Sequence, residues 1–386
     1  MRRSAPARGP AIAGLVVAAL SLGPGRAAAQ TVTAPPVQPS VSATTFFDSN
    51  VLSLPAATAD IVLRVTPGLA LGRVTPRVRW STSYSFDAER YQDRTDLTTI
   101  QARQALQADG AVSLGARTSI AWSGGYTSTT NPGELNTLTG LNVARVRANQ
   151  WLGSATINRD LSPHVDFSVR YSYQRSALPS AGLTESHGVD VRVGYRGTPH
   201  SESYVHVDTQ RFDFGANGAP SLVTAVAGGW EIRPRFATIT AEAGAQVSQG
   251  SVGPRVSLAI TRTIGQATLT GSYMRSVTTA LGVPGTVAFD TVQAGFSHQA
   301  VGHSARGGLR VGVHASASRN AVLAAELRSW QYGGDLTHPL AGGLSLQVSY
   351  DTWVQESTLG AVGLLGGHIT RQRVFFTVTF SPWSVR

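Results

Sequence analysis

The segment that decides the fold class reads Val165-Asp166-Phe167-Ser168-Val169-Arg170-Tyr171-Ser172-Tyr173. Its odd positions are apolar or aromatic and its even positions are polar. Because successive side chains of a β-strand point to opposite faces, one face of this strand suits an apolar environment and the other suits water. A single strand of this kind also occurs in soluble β-sandwiches, so the fold depends on how often the pattern recurs.

The same alternation recurs along most of the chain. Further copies span residues 78–86, 112–123, 189–196, 344–351 and 374–380, and residues that favour turns, such as glycine and proline, lie between them. Segments of about ten residues with alternating hydrophobicity, separated by turns, are typical of an antiparallel transmembrane β-barrel. The sequence therefore predicts an all-β barrel.

The composition supports a lipid-facing surface and excludes several kinds of chemistry. Only 14% of the residues are charged, whereas soluble domains have about 25%. The chain contains no cysteine, which excludes thiolate catalysis, cysteine-based metal sites and a disulfide framework.

The first 29 residues have the features of a secretory signal peptide. Arg2, Arg3 and Arg8 form a positive start, Ala11 to Leu22 is apolar, and Ala27-Ala28-Ala29 precedes Gln30. The apolar run is shorter than the roughly 20 residues of a membrane-spanning helix. We therefore predict a signal peptide over residues 1–29, a flexible Pro-rich lead-in over 30–42 and one outer-membrane barrel domain over 43–386.

The spacing of turn signals predicts 18 strands. Sixteen is the alternative if the segment at Thr44 or the one near Thr98 does not pair. Short connections, including Pro67-Gly68, Asp109-Gly110 and Gly197-Thr198-Pro199, alternate with longer ones such as 127–142, 176–186 and 355–368. Since bacterial barrels have short periplasmic turns and longer extracellular loops, this alternation also assigns the two ends.

Three segments near the N-terminus carry a resemblance to a known family. They are Phe47-Asp48-Ser49-Asn50-Val51, Ala59 to Pro67, and Tyr84-Ser85-Phe86-Asp87-Ala88-Glu89-Arg90-Tyr91. Together they resemble the start of uncharacterised outer-membrane β-barrel proteins identified as porins, some of which occur beside exopolysaccharide-export systems. The resemblance implies a channel in the bacterial outer membrane, with polysaccharide-export components as partners.

A barrel of 16 to 18 strands encloses an aqueous channel, so the inward side chains become the functional surface. Arginines that line a pore favour anions, although a water-filled lumen also tolerates charges that pair across strands. The predicted pore-lining residues are Arg64, Arg79, Arg117, Arg170, Arg192, Arg196, Arg310, Arg328, Arg373, Asp166, Asp190, Asp208, Glu242, Glu326 and Asp351.

Aromatic residues near the predicted strand ends indicate girdles at the two membrane interfaces. A carbohydrate path lined by aromatics is the alternative interpretation. The residues concerned are Tyr84, Trp122, Tyr126, Trp151, Tyr171, Tyr173, Tyr195, Trp230, Tyr273, Trp330, Tyr350, Trp353 and Trp383.

Three functions fit this sequence. The first is a porin-like channel for passive passage of small solutes or for export of an anionic or carbohydrate substrate. The second is a structural or polysaccharide-binding barrel that its loops close. The third is an outer-membrane lipid hydrolase, in which His206 and Asp208, two residues apart on one strand face, would meet a serine of the next strand.

We expect a non-enzymatic protein without a cofactor or a metal site, because two histidines at strand spacing make only half a site. Its expected partners are outer-membrane lipid and the barrel-assembly machinery. Nucleic acid is not expected, since the arginines are spread evenly and form no basic stripe.

Overall fold

The computed structural model describes residues 37–136, 138–179, 182–215, 218–283, 285–301, 306–320, 325–357 and 367–382. The predicted signal peptide and Trp383 lie outside the described residues. The first strand begins at Val37, inside the stretch predicted as a flexible lead-in, because Gln38, Ser40 and Ser42 continue the polar alternation of Thr44 toward the N-terminus.

Eighteen strands make up the described chain, together with short 3-10 helices at Thr95–Leu97, Pro132–Leu135 and Ala341–Gly343. The strands are β1 (Val37–Asp48), β2 (Asp60–Val74), β3 (Val78–Tyr91), β4 (Thr99–Ser113), β5 (Thr118–Thr129), β6 (Ala148–Asp160), β7 (Val165–Leu178), β8 (Gly182–Thr198), β9 (Ser201–Asp213), β10 (Ser221–Ile232), β11 (Ala237–Ser248), β12 (Ser251–Ile264), β13 (Ala267–Thr279), β14 (Thr286–Val301), β15 (Arg306–Asn320), β16 (Ala325–Pro339), β17 (Leu344–Ser357) and β18 (His368–Phe380).

The strands form one closed antiparallel barrel. Each strand pairs with the next along the chain, and β1 pairs with β18 from Val41 opposite Phe380 to Asp48 opposite Arg373. Both segments that could have reduced the count are paired strands, β1 and β4. The predicted 18-strand barrel is therefore confirmed. No helix among the described residues has the length and apolar character needed to cross a membrane.

The two faces of the barrel differ as the alternation predicts. Large apolar side chains such as Leu63, Val193 and Leu258 are exposed on the outer face, while their polar neighbours face the lumen. Closure satisfies the backbone groups of every strand, as a barrel in hydrocarbon requires. An apolar outer face around a polar lumen places the chain in a bacterial outer membrane.

The two ends of the barrel have connections of different length. One end has the short turns at 75–77, 114–117, 161–164, 199–200, 233–236 and 265–266, and the other has the connections at 49–59, 92–98, 130–147 and 214–220. The longer connections mark the extracellular end, although those at 179–181 and 249–250 on the same end are short.

Several segments that were predicted as turns lie inside strands. Pro67 and Gly68 lie within β2, and Asp109 and Gly110 lie within β4. Gly110 sits under the ring of Trp122 on β5, where an added Cβ would come within 2.0 Å of that ring. Glycine here makes room for an aromatic neighbour rather than for a turn.

The predicted loop over 176–186 was also wrong for most of its length, because β7 extends to Leu178 and β8 begins at Gly182. Ser176 and Ser186 are polar because they face the lumen, where both are buried.

Candidate functional site: a loop that crosses the lumen

The connection between β5 and β6 folds into the barrel. In a closed ring of 18 strands, β14 and β15 lie opposite β5 and β6. The connection reaches that far wall: the Ser316 hydroxyl on β15 donates a hydrogen bond of 2.7 Å to the Thr139 carbonyl. We call the described residues 130–136 and 138–147 the lumen loop, because they cross the channel rather than extend outward.

Two amide side chains fix the lumen loop to distant backbone. Asn136 accepts a hydrogen bond of 2.7 Å from the Leu281 backbone N–H and donates one of 3.1 Å to the Leu281 carbonyl. The Gln355 side chain on β17 makes the same pair of bonds with the backbone of Asn142. It accepts a hydrogen bond of 2.7 Å from the Asn142 N–H and donates one of 3.4 Å to the Asn142 carbonyl. Each amide mimics a backbone pair, so buried polar groups of the loop are satisfied without a regular strand.

Gly140 lies at the closest approach of the lumen loop to the opposite wall. Its φ is +61°, and an added Cβ would come within 1.9 Å of the Ser329 hydroxyl and 2.6 Å of the Ser316 hydroxyl. The Trp353 indole N–H donates a hydrogen bond of 3.2 Å to its carbonyl. Both the backbone conformation and the space therefore require glycine.

The return path of the lumen loop follows the near wall. The Arg145 backbone N–H donates to the Leu52 carbonyl at 3.1 Å, and its guanidinium lies 3.3 Å from Glu89 on β3. An apolar core joins the loop to the extracellular strand ends, and its buried members are Leu141, Val143, Ala148, Leu178, Ala280, Leu281, Val283, Val287 and Leu327. The loop and this core lie in the extracellular half of the lumen.

Replacing Gly140 by valine is expected to displace the lumen loop from the far wall. A β-branched side chain at positive φ is strained, and its Cβ would collide with the Ser316–Ser329 pair. Single-channel conductance of the refolded barrel should then increase. Gly153→Val is the matched control, because Gly153 is a glycine of β6 with no atom within 4 Å of an added Cβ. Equal conductance of the two variants would contradict the anchoring role of Gly140.

A cavity of about 840 Å³ lies against the lumen loop. Its wall from β12 to β16 combines apolar side chains such as Met274 with neutral polar ones, including Ser257, Ser272, Gln293 and Gln331. Its charged lining residues are Arg170, Arg310, Arg371, Arg373 and Glu134.

The cationic groups of this cavity differ in how far their charge is compensated. Glu134 lies 3.3 Å from Arg103, and Arg310 lies 3.0 Å from Asp335. Arg170 is exposed to the lumen, and no carboxylate of the described residues lies within 4 Å of it. Arg170 is therefore the charge on this surface that is freest to meet a solute.

A second cluster of charges holds the β18–β1 seam. The carboxylate of Asp48 accepts hydrogen bonds from Arg371 Nε and Nη2, the shortest at 2.6 Å, and both side chains are buried. Arg373, also buried, lies 4.0 Å from Asp351 on β17. Removal of one partner would leave a buried charge without compensation.

A ladder of ion pairs lines the wall from β6 to β12. Arg192 contacts Asp166 at 3.5 Å and also pairs with Glu202. Farther along the ladder, Arg255 contacts Asp208 at 3.0 Å and Glu242 at 3.2 Å. Each of these two arginines bridges two carboxylates, so the ladder itself carries no excess of arginine.

His206 lies within this ladder and does not form the predicted hydrolase site. Its Nδ1 is 3.1 Å from Asp190 and its Nε2 is 3.3 Å from Glu242. Its cross-strand partners are Arg192 and Ala227. Because both ring nitrogens face carboxylates, neither is available to a serine hydroxyl, and the predicted arrangement with Asp208 is not assembled.

Most of the predicted pore-lining residues share the lumen face. Strand register and burial show twelve of them on this face: Arg64, Arg79, Arg170, Arg192, Arg196, Arg310, Arg373, Asp166, Asp190, Asp208, Glu242 and Asp351. They do not form one ring, because most of them belong to the seam cluster or to the ladder.

Three predicted residues lie elsewhere. Arg117 is in the turn between β4 and β5, where the chain changes direction. Arg328 and Glu326 lie 3.7 Å apart on the outer face of β16, in the same alternation as Trp330. The prediction was wrong for these residues because charge was taken as a marker of the lumen.

The lumen also contains functional residues that the prediction missed. Trp353, predicted in a girdle, faces inward against the lumen loop, and the signal for this was its position two residues from Asp351. No sequence signal indicated that Arg145 and Glu89 would meet across the lumen. The described aromatics Tyr84, Trp122, Trp151, Tyr171, Tyr195, Trp230, Trp330 and Tyr350 are exposed on the outer face.

The closed barrel, its apolar outer face, its polar lumen and its inward loop define a porin-like β-barrel of the outer membrane. No protein-family model matches the sequence, and no curated protein matches it.

Solved outer-membrane proteins have similar folds. OpdO from Pseudomonas aeruginosa is 12% identical over 90% of this chain and 98% of its own, with a TM-score of 0.45. OccAB4 from Acinetobacter baumannii is 8% identical over 90% and 99%, with a TM-score of 0.43. The siderophore receptor PirA from Pseudomonas aeruginosa is 12% identical over 89% and 80%, with a TM-score of 0.41. At these identities the similarity concerns the fold alone.

Proposed function

We propose that this porin-like barrel is a diffusion channel for small anionic solutes, with the lumen loop as its size-limiting constriction. The proposal is supported by the cavity beside the loop, whose charged lining has four arginines and one glutamate, and among these Arg170 has no carboxylate of the described residues within 4 Å. A pore that presents cationic side chains favours anions. The ladder adds no uncompensated positive charge, because Arg192 and Arg255 each bridge two carboxylates.

Arg170 is central to this selectivity. Its guanidinium is exposed in the cavity, and Arg310 exposes 57% of its side chain there despite its contact with Asp335. Arg371 and Arg373 also line the cavity but are buried. A passing anion would therefore meet Arg170 and Arg310 first.

Replacement of Arg170 and Arg310 by glutamine is expected to reduce anion preference. The measurement is the reversal potential of the refolded barrel in a planar bilayer under a tenfold gradient of potassium chloride, where the shift toward the anion limit should fall by about half or more. Arg328→Gln is the matched control, because it removes the same charge from the outer face. A reversal potential that the double variant leaves unchanged would contradict the proposal.

A barrel closed by its own loop is the second candidate, because the lumen loop and its apolar core occupy the extracellular half of the lumen. The two candidates predict different currents. A constricted channel conducts in its native form, whereas a closed barrel is silent until the loop is shortened. Export of a carbohydrate, with polysaccharide-export components as partners, stays a prediction from the sequence resemblance.

A further inference from the structure

We propose that the periplasmic end of the barrel carries a binding belt for anionic phospholipids of the inner leaflet of the outer membrane. The belt consists of exposed arginines at the ends of strands or in the short turns. Its members are Arg73, Arg77, Arg117, Arg159, Arg235 and Arg262. They extend from the end of β2 to the end of β12, which is more than half of the barrel circumference.

The charge of the belt is uncompensated. Among the described residues, no carboxylate lies within 4 Å of any belt arginine. The described turns at this end contain no Asp or Glu, and the acidic residues of the nearby strand ends, such as Asp109, Asp160 and Glu231, are in the lumen alternation. Among the described residues, the charged side chains on the lipid-facing side of this end are therefore all cationic.

Aromatic side chains accompany the belt on the same face. Arg73 pairs across strands with Trp80, and Arg159 pairs with Phe167. The guanidinium of Arg235 lies 5.0 Å from the ring centre of Phe236. Aromatic residues and arginine stems settle at the level of lipid headgroups, so this neighbourhood places the guanidinium groups against phosphates rather than free in the periplasm.

At the extracellular end, several arginines of the outer face are paired with carboxylates. On the outer face there, Arg175 lies 3.4 Å from Glu185, and Arg275 lies 3.7 Å from Asp290. Arg328 is paired with Glu326 in the same way. Arg90 and Arg211 are exposed on the outer face at this end without a carboxylate of the described residues within 4 Å, but they are two against the six of the belt, so more of the capacity to bind additional phosphate lies at the periplasmic end. The planar guanidinium fork suits phosphate oxygens.

The test is native mass spectrometry of the folded barrel in detergent, titrated with phosphatidylglycerol or with phosphatidylcholine of the same acyl chains. The wild-type barrel should retain phosphatidylglycerol at a lipid concentration about tenfold lower than phosphatidylcholine. Substitution of all six belt arginines by glutamine should abolish this difference. The matched control carries Arg175→Gln, Arg275→Gln and Arg328→Gln and should bind as the wild type does.

Heat-modifiable migration in gels verifies that each variant is folded. If the sixfold variant does not fold, Arg73→Gln combined with Arg159→Gln should still weaken the preference by about threefold. Equal retention of the two lipids by the wild type would overturn the proposal. A control variant that loses the preference as fully as the belt variant would overturn it too.

Discussion

Replacement of residues 132–144 by a short Gly-Ser linker is expected to raise the single-channel conductance about threefold or more, since an 18-strand barrel without an inner loop is a wide aqueous pore. The deletion removes the contacts of Asn136 with Leu281 and of Asn142 with Gln355. It also empties the apolar core around Leu141 and Val143. The measurement is the step size in planar bilayers at fixed salt.

The matched control for this deletion shortens another connection at the extracellular end. Removal of the exposed residues Gly218, Ala219 and Pro220 between β9 and β10 shortens a connection at the same end of the barrel and leaves the lumen loop in place. Its conductance should stay close to that of the wild type. If both deletions change the step size equally, the lumen loop does not limit the current.

Replacement of Asp48 by alanine is expected to destabilise the barrel by about 3–5 kcal/mol, because a buried ion pair loses one partner. Arg371 would keep its hydrogen bond of 3.0 Å to Ser53 but lose both contacts with the carboxylate. Arg373 lies beside it at the same seam. The measurement is the urea dependence of tryptophan fluorescence, from which the free energy of unfolding is obtained.

Asp96→Ala is the control for this prediction. Asp96 makes an equally direct pair with Arg94, at 2.8 and 2.9 Å, but on the exposed surface of the connection between β3 and β4. Surface pairs contribute little to stability, so its unfolding midpoint should not move. An Asp48 variant as stable as the Asp96 variant would show that the seam does not depend on the buried pair.

The fold could be predicted from the sequence because apolar and polar residues alternate with a period of two in almost every strand. The alternation from Val165 to Tyr173 is local, and barrel closure follows once enough such strands exist. The same alternation contained more than the prediction used. Glu326 and Arg328 lie an even number of residues from Trp330, so the alternation places them on the outer face with it. Trp353 lies two residues from Asp351, so the alternation places it in the lumen.

The course of the lumen loop could not be predicted in this way. Its direction depends on contacts between residues far apart in the chain, such as Asn136 with Leu281 and Asn142 with Gln355. The sequence around Pro132 and Gly133 favours a long connection, whether that connection turns inward or outward. The ion pair of Arg145 with Glu89 could not be predicted either, because it depends on the path of the lumen loop back to the near wall.

The crossing of the channel by the connection between β5 and β6 can be tested by bridging Asn142→Cys to Gln355→Cys with dibromobimane, which fluoresces when it joins two thiols. The Gln355 amide contacts the backbone of Asn142 at 2.7 and 3.4 Å, so the two cysteines lie within reach of this short reagent. The chain has no cysteine of its own, so the fluorescence of the folded barrel reports on this pair alone. We expect the Asn142→Cys, Gln355→Cys barrel to become fluorescent, whereas a control with Asn142→Cys and Ser257→Cys stays dark. A folded Asn142→Cys, Gln355→Cys barrel that stays dark would show that the connection does not cross the channel.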